Sequence, residues 1–189
     1  MSYYHTFESG AATAPGTGAA TEPGSGASTE PGSEPGSGPG IAIAIAGDHN
    51  GVGLKAAIVQ WLSASGHTVA DLGVHDPAVT VDYPPICVEL CREVSSSRAV
   101  YGIFVGGTGQ GEVIACNKIR GIRAGGCHNL LTAEISRGHN DANVLVLGSK
   151  LLDAPEAVAI VDRWLSTPFK GGSHAARLEM IEAIESGAM

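Results

Sequence analysis

Short apolar segments alternate with segments of helical spacing along the chain from residue 41 onwards. Five segments have the length and composition of β-strands, at residues 41–46, 68–72, 99–105, 122–127 and 144–147. Helical patterns occupy about residues 54–62, 87–94, 112–118, 130–137, 155–165 and 174–186. Strands that are apolar throughout, rather than at every second residue, are typical of a parallel sheet covered on both faces. The pattern therefore predicts an α/β fold, a three-layer α/β/α sandwich around a mainly parallel, five-stranded, Rossmann-like sheet.

This topology also predicts where a ligand would bind. In open parallel sheets, ligands bind beyond the carboxyl ends of the strands, near the point where the strand order reverses. We therefore expect the chemistry in the loops that follow residues 46, 105, 127 and 147.

Residues 1–40 differ in composition from the rest of the chain. They hold 9 of the 27 glycines and 5 of the 10 prolines, contain no Lys or Arg, and repeat the unit Glu-Pro-Gly-Ser. Such a segment offers almost no apolar surface to offset its conformational entropy. We predict a disordered tail over residues 1–40 and one folded domain over residues 41–189.

Charge and cysteine content narrow the class of protein. The formal net charge is −8, and residues 41–189 hold 11 basic and 15 acidic residues, a charge of −4 that argues against nucleic-acid binding. No apolar run approaches the roughly 20 residues of a membrane helix, and no secretory signal is evident, so we expect a cytoplasmic protein without a membrane partner. The cysteines are expected to be free core thiols, not disulfides or a zinc site: Cys87, Cys91, Cys116 and Cys127.

A glycine-rich loop, Gly106–Gly111, follows the third predicted strand. Its backbone amides can point at an anion, and the start of the next helix favours negative charge. The loop lacks the third glycine of the dinucleotide fingerprint, because Glu112 stands there, and it lacks the Lys-Ser/Thr ending of a P-loop. Glu112 has two interpretations: a carboxylate that stabilises the first helical turn, or a general base beside an anion-binding loop.

Further polar candidates occur near the same strand ends and late in the chain. Asp48 and His49 follow the first strand, although Asp48 could simply cap a helix. Segment 136–143 places His139 in a turn before the last strand, and turn chemistry explains its Asn and Asp residues but not the histidine. Candidates for anion contact, with surface solvation as the alternative, are Lys150, His174 and Arg177.

Six segments, in order, resemble the type B ribose-5-phosphate isomerase family, which includes the galactose-6-phosphate isomerase subunits. They are residues 47–55, 82–84, 106–118, 121–124, 136–144 and 171–177. The resemblance covers about residues 41–185 and none of the tail. It implies aldose–ketose isomerisation of a phosphorylated sugar through a cis-enediolate, without a metal, nucleotide or other cofactor. It also implies a homodimer, or a higher oligomer, with active sites between subunits.

The resemblance assigns catalytic roles to individual residues. One branch of the family uses as its base a cysteine directly before the Gly-Thr-Gly turn, but that position is Gly106 here. A second branch uses a glutamate six residues later, which matches Glu112. His139 would assist ring opening, and Asp48 would contact the sugar near its anomeric end. Thr108 would help to hold the enediolate.

The other matched positions would bind substrate. They are Gly107, Gly109 and Gly111 at the enediolate, Asn140 beside the sugar, Tyr83 as a further contact, and His49, Lys150, His174 and Arg177 as phosphate contacts, some across the dimer interface.

Two positions depart from the family pattern. Ser173 and Lys150 stand where family members usually carry arginine, which removes a bidentate phosphate contact at each position. We predict interconversion of ribose 5-phosphate and ribulose 5-phosphate, with a tetrose or hexose phosphate as the near alternative. Gly106 and Ser173 leave open a non-catalytic sugar-phosphate-binding module. A nucleotide-binding domain, favoured only by the glycine-rich loop, is the weakest interpretation.

Overall fold

The computed structural model describes residues 40–189, so the tail predicted over residues 1–40 lies outside the described residues except for Gly40. The elements of this part are β1 (Ala42–Gly47), α1 (Val52–Ala64), β2 (Thr68–Asp71), α2 (Tyr83–Ser95), β3 (Tyr101–Gly106), α3 (Gln110–Cys116), β4 (Ala124–Gly126), α4 (Leu130–Asn140), β5 (Val144–Gly148), α5 (Ala154–Ser166) and α6 (Ser173–Ser186). Within residues 40–189, no helix combines the length and apolarity that a membrane crossing requires.

The five strands form one parallel sheet in the order β2-β1-β3-β5-β4. This order confirms the predicted Rossmann-like α/β fold. The chain runs outward from β1 to β2 and then crosses to β3 on the other side of β1, so the strand order reverses between β1 and β3. Gly47 is in register with Val105 at this point, which brings together the loops that follow the two strands.

Alternate residues of the central strands face two separate apolar cores, one on each side of the sheet. In β1, Ile43 and Ile45 belong to one core, while Ala44 and Ala46 belong to the other. Helices α1, α4 and α5 cover the first core, and α2 and α3 cover the second. Both faces are therefore buried, which explains the continuous apolar runs in the sequence.

The edge strand β4 is shorter than predicted. It covers Ala124–Gly126 instead of residues 122–127. It pairs with β5 alone, and two of its three residues are glycines, which have no side chain to pack.

Helix α4 is longer than predicted and continues past residue 137 to Asn140. It ends where Asp141 adopts a left-handed backbone conformation (φ 43°, ψ 43°). His139 and Asn140 therefore lie in the last helical turn, and the prediction that they belong to a turn before β5 is wrong.

Candidate active site

The carboxylate of Asp48 lies at the carboxyl end of β1, and hydrogen bonds from the following loop fix its position. Oδ1 accepts from the backbone N–H of Asn50 at 2.9 Å and of Gly51 at 3.2 Å, and Oδ2 accepts from Asn50 Nδ2 at 3.2 Å. Asp48 is only 5% exposed. Sequence reasoning gave Asn50 no role, although its spacing two residues after the aspartate is typical of such local bonding.

His49 is held at the mouth of the same loop. Its Nδ1 accepts from the backbone N–H of Val81 at 3.4 Å, and its Nε2 lies 3.2 Å from Asn50 Nδ2. The imidazole is half-buried and lies in the loop that also carries Asp48.

The carboxylate of Glu112 lies against the end of β3. Helix α3 begins after Gly109, whose φ of 80° favours glycine, and Glu112 follows in the first turn and is 5% exposed. A Cβ built on Gly106 would overlap Glu112 Oε1 and would lie 2.6 Å from its Cδ. The carboxylate therefore occupies the space that a side chain at position 106 would take.

Burial raises the pKa of Glu112 above its ordinary value. A hydrogen bond from its own backbone N–H acts in the opposite direction, and the negative charge of Asp48 raises the pKa further. A carboxylate whose pKa moves towards neutrality is better suited to accept and return a proton near pH 7.

Tyr83 lies against the first turn of α3. A Cβ on Gly111 would lie 2.5 Å from the Tyr83 hydroxyl, so the glycine lets the phenol approach the residue directly before Glu112.

The loop after β5 closes the site from the other side of β3. Ser149 N–H donates to Gly106 O at 2.8 Å, and Lys150 N–H donates to Gly107 O at 2.9 Å. The Ser149 hydroxyl also donates to Asn50 O at 2.9 Å. A cleft of about 440 Å³ lies between these loops, with Asn50 and Lys150 in its lining. Thr108 crosses the end of β5, because a Cβ on Gly148 would lie 2.9 Å from the Thr108 carbonyl.

A second group of predicted site residues lies at the C-terminus of α4 and the start of α6. His139 stacks on His174 with ring centroids 4.1 Å apart and planes 18° apart. Arg177 Nη1 lies 3.4 Å from His174 Nδ1. Partial desolvation and the neighbouring His139, Arg177 and Lys170 lower the pKa of His174. Arg177 and Lys170 supply positive charge beside the two imidazole rings, so this cluster is suited to binding an anion.

The two groups lie at opposite edges of the sheet in one chain. Arg123, which directly precedes β4, donates through Nε to Asn140 O at 3.2 Å, so Asn140 lies at the amino edge. Glu112 lies at the carboxyl edge, where Gly106 pairs with Gly148. Five residues of β5 at about 3.3 Å each put roughly 15 Å between the edges. One chain therefore does not bring His139 next to Glu112.

Comparison with known proteins identifies the family. A family model described as Ribose/Galactose Isomerase matches residues 43–181. The chain belongs to this family. It is therefore a sugar-phosphate isomerase, an enzyme of the aldose–ketose class.

Relatives resemble this isomerase over nearly their whole length. It is 42% identical to ribose-5-phosphate isomerase B of Escherichia coli over 143 residues, which are 76% of this chain and 95% of the relative. The solved ribose-5-phosphate isomerase B of Clostridium thermocellum is 42% identical, with a TM-score of 0.76 over 79% of this chain and 100% of the other. The enzyme of Mycoplasma genitalium, solved with bound ribulose-5-phosphate, is 35% identical with a TM-score of 0.74 over 79% and 99%.

The four cysteines of the isomerase are free and buried, as predicted. Cys87 Sγ lies 4.0 Å from the Glu112 carbonyl oxygen, so thiols pack directly behind the first turn of α3. A hydrogen bond with Cys87, together with burial, raises the pKa of Cys116 to about 12. Among residues 40–189, no group of three or more His, Cys, Asp or Glu side chains could hold a metal ion.

Proposed function

We propose that the isomerase interconverts ribose 5-phosphate and ribulose 5-phosphate with Glu112 as the base. The buried carboxylate of Glu112 against Gly106, at the point where the strand order reverses, is the observation that carries the proposal. Two observations support this substrate: the Escherichia coli and Clostridium thermocellum relatives are ribose-5-phosphate isomerases B, and the Mycoplasma genitalium enzyme binds ribulose-5-phosphate.

The reaction moves one proton between adjacent carbons. Glu112 removes the proton from C2 of the open-chain aldose, which leaves a cis-enediolate with its negative charge on O1. A second proton passes from O2 to O1, and Glu112 returns the first proton to C1 as C2 becomes the carbonyl carbon of the ketose. Amides of Gly107, Gly109 and Gly111, with Thr108, hold the developing negative oxygen. In other enzymes, one such donor contributes about 2.7–4 kcal/mol to transition-state stabilisation. Asp48 is proposed to contact the sugar near its anomeric end.

His139 is proposed to open the furanose ring before the proton transfer. It accepts the proton of the C1 hydroxyl while the bond between C1 and the ring oxygen breaks, the ring oxygen takes up a proton, and C1 becomes the aldehyde carbon. Because His139 and Glu112 lie at opposite sheet edges, this role requires a second chain. A two-fold axis perpendicular to the strands would bring the amino edge of one subunit to the carboxyl edge of the other.

Exposed apolar side chains support a homodimer through the β4 side of the sheet. Ile135 of α4, together with Ile181 and Ile184 of α6, is 38–61% exposed, and these residues line a groove of about 620 Å³ beside β4. Apolar surface of this kind marks protein–protein contacts. Asn140 lies on the rim of the same groove and would approach the sugar from the partner subunit.

Two sets of basic and imidazole side chains would hold the phosphate. Lys150 and His49 lie at the carboxyl edge, and His174 and Arg177 lie at the amino edge of the opposing subunit. Ser173, the exposed first residue of α6, offers no charge, and Lys150 offers a point charge instead of a guanidinium fork. These two residues favour a tetrose or hexose phosphate as the second candidate substrate.

The buried free thiols support a reducing compartment, such as the cytoplasm, as the place of action.

Incubation in deuterated water with pentose, tetrose and hexose phosphates tests the proposal. We expect deuterium at the carbon next to the carbonyl of the pentose 5-phosphate, and we expect Glu112→Gln to abolish this exchange while the fold and ligand binding persist. If deuterium exchange occurs only with a tetrose or hexose phosphate, that sugar phosphate replaces ribose 5-phosphate as the proposed substrate. Near-parental activity of Glu112→Gln would contradict the assignment of the base.

A further inference from the structure

The backbone that follows His139 adopts a conformation that L-residues avoid. Asp141 ends α4 with φ 43° and ψ 43°, and its N–H donates to Arg137 O at 3.0 Å. A left-handed non-glycine residue costs roughly 1–2 kcal/mol, although Asp tolerates the conformation better than most. Such a residue persists when its surroundings determine its position.

Two arginines hold Asp141 in this conformation. Its Oδ1 accepts from Arg137 Nη1 at 2.6 Å, and its Oδ2 accepts from Arg123 Nη2 at 2.9 Å. Arg123 Nε also donates to the backbone oxygens of Asp141 at 3.0 Å and of Asn140 at 3.2 Å. We call Arg123, Arg137 and Asp141 the α4 clamp. It fixes both the side chain and the backbone at the end of α4.

The central arginine of the clamp is buried in an apolar setting. Arg137 is 6% exposed, and its guanidinium carbon lies 4.8 Å from the ring centroid of Tyr101 and 5.3 Å from that of Trp164. Nη2 donates to the Tyr101 hydroxyl at 2.9 Å, but Nε has no hydrogen-bond partner among the described residues. An apolar side chain of similar volume is often as stable in such a place as a buried ion pair. What the ionic contacts add is a fixed geometry.

In the sequence, His139 lies between Arg137 and Asp141 of the α4 clamp. The carbonyl oxygen of the preceding residue, Gly138, accepts from Lys170 N–H at 2.9 Å, and the His139 ring stacks on His174. We propose that the α4 clamp is a positioning device that aims His139 at the anomeric hydroxyl of the substrate. The proposal rests on the ring-opening role given to His139 above.

The test variant is Asp141→Asn. Asparagine keeps the shape and tolerates the left-handed conformation, but it has no charge and cannot accept from both guanidinium groups through oxygen. Arg137→Met is a second variant, in which an apolar chain fills the space between the two aromatic rings. The matched control is Glu93→Gln, which breaks the bidentate pair between Glu93 and Arg98 (2.9 and 2.8 Å). This pair lies at the C-terminus of α2, at the same sheet edge as the clamp but away from α4.

Two readouts separate positioning from a general structural effect. The first is conversion of an aldose 5-phosphate, which exists mainly as a furanose. The second is deuterium exchange from solvent into C1 of the ketose 5-phosphate, which cannot form a furanose because its O5 carries the phosphate. Exchange into the ketose requires Glu112 and the enediolate but no ring opening.

We expect Asp141→Asn and Arg137→Met to slow aldose conversion by up to about 100-fold, the loss that a misplacement of about 1 Å can produce. Exchange into the ketose should stay near the parental rate, and Glu93→Gln should change neither readout. If both readouts fall together in both clamp variants, or if neither changes, the positioning role is wrong.

Two further variants test the proposed function separately. His139→Ala should reproduce the selective loss of aldose conversion, and Glu112→Gln should abolish both readouts. If His139→Ala leaves aldose conversion intact, the ring-opening role fails and the clamp proposal fails with it. If Glu112→Gln retains exchange, the proposed base is wrong whatever the clamp variants show.

Discussion

Gly106→Ala adds one methyl group at the position where the Glu112 carboxylate lies. The new Cβ would overlap Oε1 and would lie 2.6 Å from Cδ, whereas carbon atoms in ordinary contact are about 3.5–4.0 Å apart. The backbone at position 106 cannot shift easily, because β3 pairs with β5 there and because Ser149 N–H donates to Gly106 O at 2.8 Å. The side chain of Glu112 must therefore move, by about 1 Å at Cδ.

A shift of this size would be enough to disable Glu112 in its proposed role as the base. Misplacement by about 1 Å costs on the order of 100-fold in rate, which corresponds to about 2.7 kcal/mol of transition-state stabilisation. Forcing extra volume into a packed site also costs about 1–3 kcal/mol in unfolding free energy. We therefore expect kcat/KM of Gly106→Ala to fall about 100-fold, with a smaller loss of stability.

The assay is steady-state conversion of the aldose phosphate, with thermal or denaturant unfolding of the same preparations. Glu112→Ala and the double variant Gly106→Ala/Glu112→Ala complete a double-mutant cycle. With the carboxylate removed, the methyl group has room, so Gly106→Ala should then cost little stability. Parental kcat/KM in the single variant, or an equal stability loss in both backgrounds, would refute the proposed overlap.

Three more predictions follow from the same geometry. Asp48→Asn removes a negative charge that raises the pKa of Glu112. The acid limb of the pH profile of kcat/KM, where activity is lost as the base becomes protonated, should therefore move to lower pH. An acid limb that does not move would contradict the electrostatic coupling between Asp48 and Glu112. Equal amounts of Glu112→Gln and His139→Ala subunits, unfolded and refolded together, should recover about a quarter of parental activity, since half the dimers are mixed and each has one intact site; no recovery would place both residues in one subunit's site. The double variant Gly106→Cys/Glu112→Ala puts a thiol in the space that the carboxylate leaves. We expect it to have partial activity, and we expect iodoacetamide to abolish that activity. The parental enzyme, whose thiols are buried, should resist the reagent.

The sequence was sufficient to predict the sheet and the sheet edge at which Asp48 and Glu112 lie. Continuous apolar strands predicted parallel pairing, and parallel pairing predicted that Asp48 and Glu112 would lie at a common edge. The place of His139 was predicted less well, because the end of α4 depends on the backbone of Asp141, and local sequence did not mark a left-handed aspartate as the stop. Arg123 and Arg137 share one carboxylate although they belong to different elements, and no local spacing indicates such a contact.

Gly106 and Glu112 form one structural unit and are not two independent positions. Taken alone, a glycine in place of the cysteine base that the family resemblance implies for one branch indicates lost catalysis, and a glutamate in the first turn of a helix indicates ordinary stabilisation by the helix dipole. The overlap between a Cβ at 106 and the Glu112 carboxylate makes each residue a condition for the other, because the carboxylate reaches the end of β3 only when position 106 has no side chain. A chain with a side chain at 106 and glutamate at 112 would have to displace one of the two groups. In this chain, the glycine at position 106 is therefore not by itself evidence against catalysis, because it is what makes room for the Glu112 carboxylate.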